Sequence, residues 1–348
     1  MAGTWLSENK IIPGAYINFL TNEPLSITVG DRGIVVLLQE LSVGSKGELY
    51  TITALDNNLP KGATDDDKKL INEALKGAKT VLLYNLGPSD HQAQDITDAL
   101  AKLKTVNFNV LAYPYDGVGY TTNKEAIVTW IKAMRDEEGV KIQGVLANST
   151  SDNEAIINVV QGIELSNGSK LKAEEVTAYV AGITAGANVN KSNTGNKYVG
   201  AVDVNPRMTK TEMEEAIKAG KFIFKVDSMQ NVTCVYDINS LTSVTKEKGS
   251  QFKKNRVIRT IDGINNDVTT IFESNVVGKE DNNANGRSIL RAMLIEYFNE
   301  LQRLNAIQNF TAEDVIVEQG KDKDSVLVTC NIQTVDSIEK IYITVNLS

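Results

Sequence analysis

The chain has 348 residues with a formal net charge of −8, and 42% of its residues are hydrophobic and 23% charged. This length allows two or three domains, and the composition is ordinary for a soluble globular protein. The acidic charge without any Lys/Arg-rich run argues against nucleic acid as a partner, and no apolar stretch approaches the roughly 20 residues of a membrane helix, so direct membrane insertion is not expected.

Short β-like runs occupy the beginning of the chain. An isolated alternating run follows Pro13-Gly14 and consists of Ala15, Tyr16, Ile17, Asn18 and Phe19. It indicates a strand without a nearby hairpin partner, and we assign it to an N-terminal arm, residues 1–24. Further short runs predict a small β-rich domain in residues 25–75, with a solvated loop at Asp65–Asp67.

The middle of the chain alternates between buried-strand and amphipathic-helix patterns. Strand patterns recur in residues 80–86, 109–113 and 141–147, which predicts a parallel sheet with crossover helices. Capping boxes predict helix starts at three pairs, Ser89 with Gln92, Thr122 with Glu125, and Thr209 with Glu212. Residues 156–165 are interpreted as a hairpin. We assign residues 76–240 to one α/β domain.

The last third keeps helical spacing over two long spans and then returns to strand patterns. We assign residues 241–337 to a C-terminal α+β domain. The chain then ends on a period-two run formed by Ile341, Ile343, Val345 and Leu347. This run has no local partner either, so residues 338–348 are predicted to be a C-terminal strand arm.

Two loops imitate binding motifs but lack a necessary residue. A run from Gly186 to Ser192 resembles a phosphate-binding loop, yet Asn190 stands where that loop needs its second glycine. A run from Asp281 to Gly286 matches the first half of an EF-hand, yet Ala292 stands at the position of the bidentate glutamate. We interpret both as polar loops, the second as the cap of a helix, and predict neither a metal nor a cofactor.

No catalytic residue is predicted. The single histidine, His91, falls in the first turn of a predicted helix, where an exposed polar residue is expected. Cys234 and Cys330 lie in alternating apolar runs that are typical of small core side chains. The sequence therefore does not predict an enzyme.

Several segments share one resemblance. They read PGAYINF in residues 13–19, VAGITAGA in 180–187, NKS in 190–192, NRVIRTID in 255–262 and NGR in 285–287, together with the ending in 335–342. In this order they resemble phage tail sheath proteins over nearly the whole chain. The short length is similar to sheaths of Bacillus- or Clostridium-type prophages and R-type bacteriocins.

The resemblance implies a fold and an assembly. The central domain would be a subtilisin-like α/β domain, and subunits would form hexameric rings that stack helically around an inner tail tube protein, with baseplate and tail terminator proteins at the ends. Contraction would drive the tube through a target cell envelope. Assembly would occur in the bacterial cytoplasm, before release as part of a tail or virion particle.

The resemblance also implies that each subunit lends its arms to sheets in its neighbours, which is β-augmentation. The arm residues expected between subunits are Ala15, Tyr16, Ile17, Phe19, Ile341, Ile343, Val345 and Leu347. The C-terminal domain is implied to face the tube, and Arg287 and Arg291, on successive turns of one predicted helix, are candidates for that contact. The alternative for the two arginines is a solvated helix start.

Two other functions stay open from the sequence. One is a sheath component of a related contractile injection system. The other is an α/β enzyme of unknown chemistry, which only the alternation of strands and helices favours, because a fold does not supply a function.

Overall fold

The computed structural model describes residues 29–30, 32–54 and 58–346. Its first elements are β1 (Ile34–Gln39), β2 (Leu49–Thr53), α1 (Asp65–Leu75), β3 (Thr80–Asn85), α2 (Ala93–Leu103), β4 (Val110–Tyr113), α3 (Thr121–Asp136), β5 (Gln143–Ala147) and β6 (Ile156–Val159). The middle elements are β7 (Gly162–Leu165), β8 (Lys170–Leu171), α4 (Ala173–Gly186), β9 (Ala201–Asn205), α5 (Lys210–Lys218), β10 (Lys221–Phe222), β11 (Phe224–Val226) and β12 (Val232–Cys234). The last are α6 (Asn255–Ile271), α7 (Ala284–Arg303), β13 (Ile307–Gln308), β14 (Val315–Gln319), β15 (Val326–Cys330) and β16 (Gln333–Thr334).

A seven-stranded sheet forms the centre of the molecule, in the order β10-β6-β5-β4-β1-β3-β2. Every neighbouring pair is parallel except β2 with β3, and β2 is an edge strand. The inner strands are continuous apolar runs because helices cover the sheet on both sides. The predicted α/β fold with a parallel sheet and crossover helices is confirmed.

Helices α1 and α4 pack on one face of this sheet, and α2 and α3 pack on the other. Helices α1 and α4 meet at glycines. A Cβ atom added at Gly182 would lie 2.1 Å from the carbonyl oxygen of Ala74, and one at Gly186 would lie 1.9 Å from that of Gly77. The VAGITAGA run therefore has a packing role, because only glycine lets the two backbones approach so closely.

Two predictions about the sheets are wrong. The described part of residues 25–75 does not form a separate β-rich domain, because β1 lies inside the large sheet between β4 and β3, and β2 is the edge strand beside β3. Residues 156–165 are not a hairpin: β6 pairs with β5 and β10, whereas β7 pairs with β8 and β9 in a second sheet. In both cases a long-range partner replaces the local one.

Two of the three predicted helix starts are displaced. Helix α2 begins after Gln92, whose backbone amide donates to Asp95, and α3 begins at Thr121, one residue before the predicted cap. The capping box of Thr209 with Glu212 is confirmed. The polar stretch at Asp65–Asp67 is the first turn of α1 rather than a loop, and its start is capped by Thr64.

The C-terminal part combines two long helices with short antiparallel strand pairs, β13 with β16 and β14 with β15. It has a hydrophobic core of its own, built mainly on α7 and including Leu294, Tyr297 and Phe298. The predicted α+β character of this part is confirmed. Within the described residues no helix is long and apolar enough to span a membrane.

Candidate assembly site at the root of the C-terminal arm

The polar loop in residues 188–197 belongs to the α/β domain and contacts the C-terminal domain. The side-chain amide of Asn190 donates to the carbonyl oxygen of Leu304 at 2.6 Å, and the Arg259 guanidinium donates to the carbonyl oxygen of Lys191 at 2.6 Å. The Lys191 side chain is exposed. The loop thus contacts α6 through the carbonyl group of Lys191 and the end of α7 through the side-chain amide of Asn190. These contacts agree with its interpretation as a polar loop.

A fully buried ion pair lies beneath this loop. Arg259 of α6 donates to Asp237 at 2.8 Å, and both side chains are 0% exposed. The Asp237 carboxylate also accepts hydrogen bonds from the backbone amide of Asn193 and the side-chain amide of Asn255, each at 2.9 Å. A buried carboxylate needs such partners, because desolvation without them is costly.

A second buried pair joins α6 to α3. Arg135 donates to both carboxylate oxygens of Asp262, at 2.7 and 2.8 Å. Burial alone would lower the pKa of Arg135, but the charge of Asp262 and its hydrogen bonds outweigh burial and raise it. Because Asp262 and Arg259 lie on adjacent turns of α6, this helix is bound to the α/β domain by two charged contacts.

The root of the C-terminal arm, residues 335–339, contacts the same polar loop. The Glu339 carboxylate accepts from the Ser192 hydroxyl at 3.1 Å and the Thr194 hydroxyl at 2.6 Å, and it forms an ion pair with Lys254, the residue preceding α6. Lys254 also lies 3.2 Å from an oxygen of Asp336. Three distant segments thus meet at one carboxylate.

Beyond this root, residues 340–346 form no strand, hydrogen bond or ion pair with any residue that the structure describes. The predicted arm side chains Ile341, Ile343 and Val345 are 77%, 71% and 74% exposed. The remaining predicted arm residues lie outside the described residues; they are Ala15, Tyr16, Ile17, Phe19 and Leu347.

The β14–β15 hairpin is an incomplete sheet within the described chain, where it consists of these two strands alone. One face packs on α7 and its core, and the other presents Ile316 and Leu327, which are 45% and 58% exposed. Neither strand has a partner strand at its outer edge among the described residues, although the carbonyl oxygen of Val315 on the β14 edge accepts from Arg291. Such an edge is a template for another strand.

Arg287 and Arg291 both lie on α7, as predicted, and both are half-buried. Arg287 donates to the side-chain and carbonyl oxygens of Asn282, at 3.0 and 3.3 Å. Arg291 donates to the carbonyl oxygens of Val315, at 2.8 Å, and Ala312. Both arginines therefore hold parts of their own domain, a role that sequence spacing did not indicate.

His91 is buried, not exposed as predicted. Its Nδ1 lies 2.7 Å from the Glu40 carboxylate and its Nε2 lies 2.7 Å from the Tyr113 hydroxyl. Glu40 follows β1 and Tyr113 ends β4, so these groups occupy the carboxyl end of the parallel sheet. Ligands bind there in many doubly wound proteins, whereas here the chain's own histidine and tyrosines fill the space.

The loop that resembles an EF-hand caps α7. The Asn283 side chain accepts from the backbone amide of Gly286 at 3.0 Å, as a helix cap does. Among the described residues there is no group of three or more His, Cys, Asp or Glu side chains that could hold a metal ion. The predicted capping role of this loop is confirmed.

Family models match most of the chain in three blocks. They are the N-terminal region of tail sheath protein Gp18 domain III in residues 32–86, the phage tail sheath protein central domain in 91–240 and the phage tail sheath C-terminal domain in 247–348. The phage-like element PBSX protein XkdK of Bacillus subtilis is 35% identical over 326 residues, which cover 91% of this chain and 69% of XkdK.

The chain belongs to the phage tail sheath family. Its fold agrees: the crystal structure of a sheath tail protein from Desulfitobacterium hafniense has a TM-score of 0.84 at 33% identity, covering 95% of this chain and 99% of that one. The contracted sheath of the anti-feeding prophage shares the fold at 16% identity, with a TM-score of 0.71 over 97% of this chain and 99% of that one.

This membership confirms the predicted family and function, a tail sheath of contractile phage-like systems, and places the chain among structural proteins rather than enzymes. YqbK of Bacillus subtilis is 36% identical over 73% of this sheath chain, but the match covers only 56% of YqbK. This chain thus spans little more than half the length of that relative.

The charged residues at the arm root were not predicted as a site. Sequence reasoning did single out residues 190–192 and 335–342, which supply Ser192 and Glu339, but only as a family resemblance. Lys254 was missed, because it directly precedes the third resembling segment, residues 255–262. No local pattern shows that Ser192, Lys254 and Glu339 meet, since they lie up to 147 positions apart.

Proposed function

We propose that this sheath subunit polymerises in hexameric rings stacked around an inner tail tube, and that contraction of this polymer drives the tube through a target envelope. The fold that it shares with a contracted sheath supports contraction. Baseplate and terminator proteins would bound the polymer, and assembly would precede release from the bacterial cytoplasm.

The observation that carries this proposal is the exposed apolar run of the C-terminal arm. Ile341, Ile343 and Val345 alternate as on one face of a strand, yet more than two thirds of each side chain is exposed. A strand needs a host sheet to satisfy its backbone and cover its apolar face. In a polymer that host would be a neighbouring subunit.

The β14–β15 hairpin of a neighbour is the host that we propose. Its outward face presents Ile316 and Leu327, and neither of its edges has a partner strand within the described chain. Each hydrogen bond between the arm and its host strand would contribute about 1 kcal/mol net to the free energy of association. The same contact between arm and hairpin would repeat at every subunit. The N-terminal arm, residues 1–24, would pair in the same manner with another neighbour.

Truncation after Glu339 tests the arm. This cut leaves every described contact of the root in place, so we expect a soluble subunit with an unchanged thermal transition that forms no tubes by electron microscopy. Normal tubes from the truncated chain would contradict the proposal. Unfolding of the truncated chain would show instead that the arm belongs to its own subunit's core.

Point variants provide a matched control, because side chains alternate between the two faces of a strand. Ile341→Lys with Ile343→Lys should abolish assembly, since two charges would enter the apolar contact. Tyr342→Lys with Thr344→Lys, on the opposite face, should weaken assembly much less. Equal loss in both variants would argue against an inserted strand.

We also propose that the C-terminal domain faces the tube and that Arg287 takes part in that contact together with Arg291. Arg291 holds β14 through the carbonyl oxygen of Val315, so Arg287→Glu is the cleaner variant. It should lower co-sedimentation of sheath with tube, whereas Arg303→Glu at the other end of α7 should not. If Arg287→Glu binds tube normally, this residue is not a contact.

A further inference from the structure

Glu339 is a buried side chain in an otherwise exposed segment. Its side chain is 7% exposed, whereas Ile338 on one side and Tyr342 on the other are 95% and 91% exposed. All three hydrogen-bonding partners of its carboxylate belong to distant segments: the Ser192 and Thr194 hydroxyls and the Lys254 ammonium. An arm that only passes over the surface would not need such a pocket.

Lys254 completes the pocket from the C-terminal domain. Its side chain is 14% exposed, and its ammonium lies 4.2 Å from the ring centre of Tyr236. Burial alone would lower the pKa of Lys254, but the hydrogen bond to Glu339 and the contact with Tyr236 outweigh burial and raise it. The lysine therefore stays charged and holds the carboxylate.

Among the described residues, the hydrogen bonds and ion pairs of the C-terminal segment end at Glu339. Before it, the Val335 amide donates to the carbonyl oxygen of Ala306 at 3.0 Å, and Arg256 donates to the Ser337 hydroxyl at 2.7 Å. After it, residues 340–346 form no hydrogen bond or ion pair with the described chain. The boundary between the attached root and the free arm thus falls between Glu339 and Lys340.

We infer that Glu339 is the positioning residue of the C-terminal arm: it fixes where the arm leaves the subunit and ties that point to both domains. Ser192 and Thr194 belong to the α/β domain, and Lys254 precedes the first helix of the C-terminal domain. A force that a neighbouring subunit applies to the arm would therefore act on both domains. The inference rests on the proposed role of the arm between subunits.

We call the contacts of Glu339 with Ser192, Thr194 and Lys254 the clamp. Limited trypsin digestion of the unassembled subunit tests this clamp independently of assembly. Trypsin cuts after Lys340, and cleavage needs the flanking chain to open locally. Glu339→Gln and Lys254→Met should each speed this cut on the order of tenfold, with the thermal transition retained. Lys253→Met is the matched control and should leave the rate after Lys340 unchanged.

The double variant separates a specific pair from general loosening. If Glu339 and Lys254 act together, Glu339→Gln combined with Lys254→Met should cut no faster than either single variant. Additive rates would contradict the pairing. If Lys254→Met does not fold, Ser192→Ala is the alternative variant, because it removes one hydrogen-bond donor without leaving a buried charge unpaired. Ser192→Ala should still speed the cut after Lys340. An unchanged rate would contradict the role of the clamp.

Assembly then tests positioning. A loosened root lowers the effective concentration of the arm at its host, so Glu339→Gln should raise the subunit concentration needed for tubes on the order of tenfold. If the cut is faster but assembly is unchanged, Glu339 holds the arm without positioning it, and the inference is wrong. If truncation after Glu339 still gives tubes, the arm proposal fails, whatever the digestion shows.

Discussion

Gly182 and Gly186 determine how closely α1 and α4 can pack. Because a Cβ atom at Gly182 would lie 2.1 Å from a backbone oxygen of α1, Gly182→Ala must push the helices apart. We expect a loss of about 1–3 kcal/mol in the free energy of unfolding, measured by urea titration. Gly119→Ala, which meets nothing within 4 Å, is the control, and an equal loss there would refute the packing argument.

Asp67 predicts a pH dependence of stability. Burial alone would raise the pKa of Asp67, but hydrogen bonds from Ser42 and Thr64 outweigh it and lower the pKa to about 2. The pKa of Asp67 in the unfolded chain is about 3.9, so the carboxylate makes its full contribution to the free energy of unfolding above about pH 4. It is lost as the pH falls through the folded-state value of about 2.

Asp67→Asn should therefore destabilise the protein by about 1.5–3 kcal/mol at neutral pH, the range for hydrogen bonds to a charged group. The difference from the parent should shrink as the pH falls from about 4 toward 2, as followed by urea titration at each pH. Asp65→Asn, at a fully exposed position, should show neither effect. A constant difference across that pH range would rule out the carboxylate as its source.

At the scale of elements, α6 carries the link between the two domains. Arg135→Met would leave Asp262 buried without its partner, and such a loss costs about 3–5 kcal/mol. We expect either a much lower melting temperature or a separate early transition of the C-terminal part in scanning calorimetry. Arg303→Met, which removes an exposed pair with Glu300, should leave the stability nearly unchanged, because solvent screens an exposed ion pair.

A similar small change in Arg135→Met and Arg303→Met would mean that apolar packing, not the buried pair, joins the domains. The elements themselves were largely predictable, because α6 and α7 are long and strongly periodic and the inner parallel strands are continuous apolar runs. The partners of short elements were not predictable: β10 has two residues, and it pairs with β6 only because of the sheet around it.

At the scale of the whole molecule, we infer that the buried Arg135–Asp262 and Arg259–Asp237 pairs make the two parts of the described chain move as one unit. The side-chain amide of Asn265 on α6 donates to the carbonyl oxygen of Gly139 at 2.7 Å, next to the Arg135 pair. Contraction would then move complete subunits while the arms bend. We therefore expect that tying the two domains together does not prevent contraction.

A short bismaleimide linker between cysteines placed at Glu138 and Asn265, with Cys330→Ser, tests this expectation. Sheaths with and without the linker should shorten equally when triggered, as measured by electron microscopy. The same double-cysteine sheath without linker is the control. If the linker alone blocks shortening, the domains move against each other during contraction.

The sequence by itself determined what local periodicity can show. Burial on both faces appears as a continuous apolar run, and burial on one face appears as alternation, so the parallel sheet, the long helices and the C-terminal period-two run were readable. The family followed from segments such as NRVIRTID, although their role in the fold did not.

Only the tertiary structure decided which segments meet. Periodicity reports that a side chain is buried but not by what, so β1 was assigned to a separate domain and His91 to the surface. The pairs Arg135 with Asp262, 127 positions apart, and Lys254 with Glu339, 85 positions apart, form because the folded sheet and α6 bring their charges together away from water. No local pattern encodes such a partner.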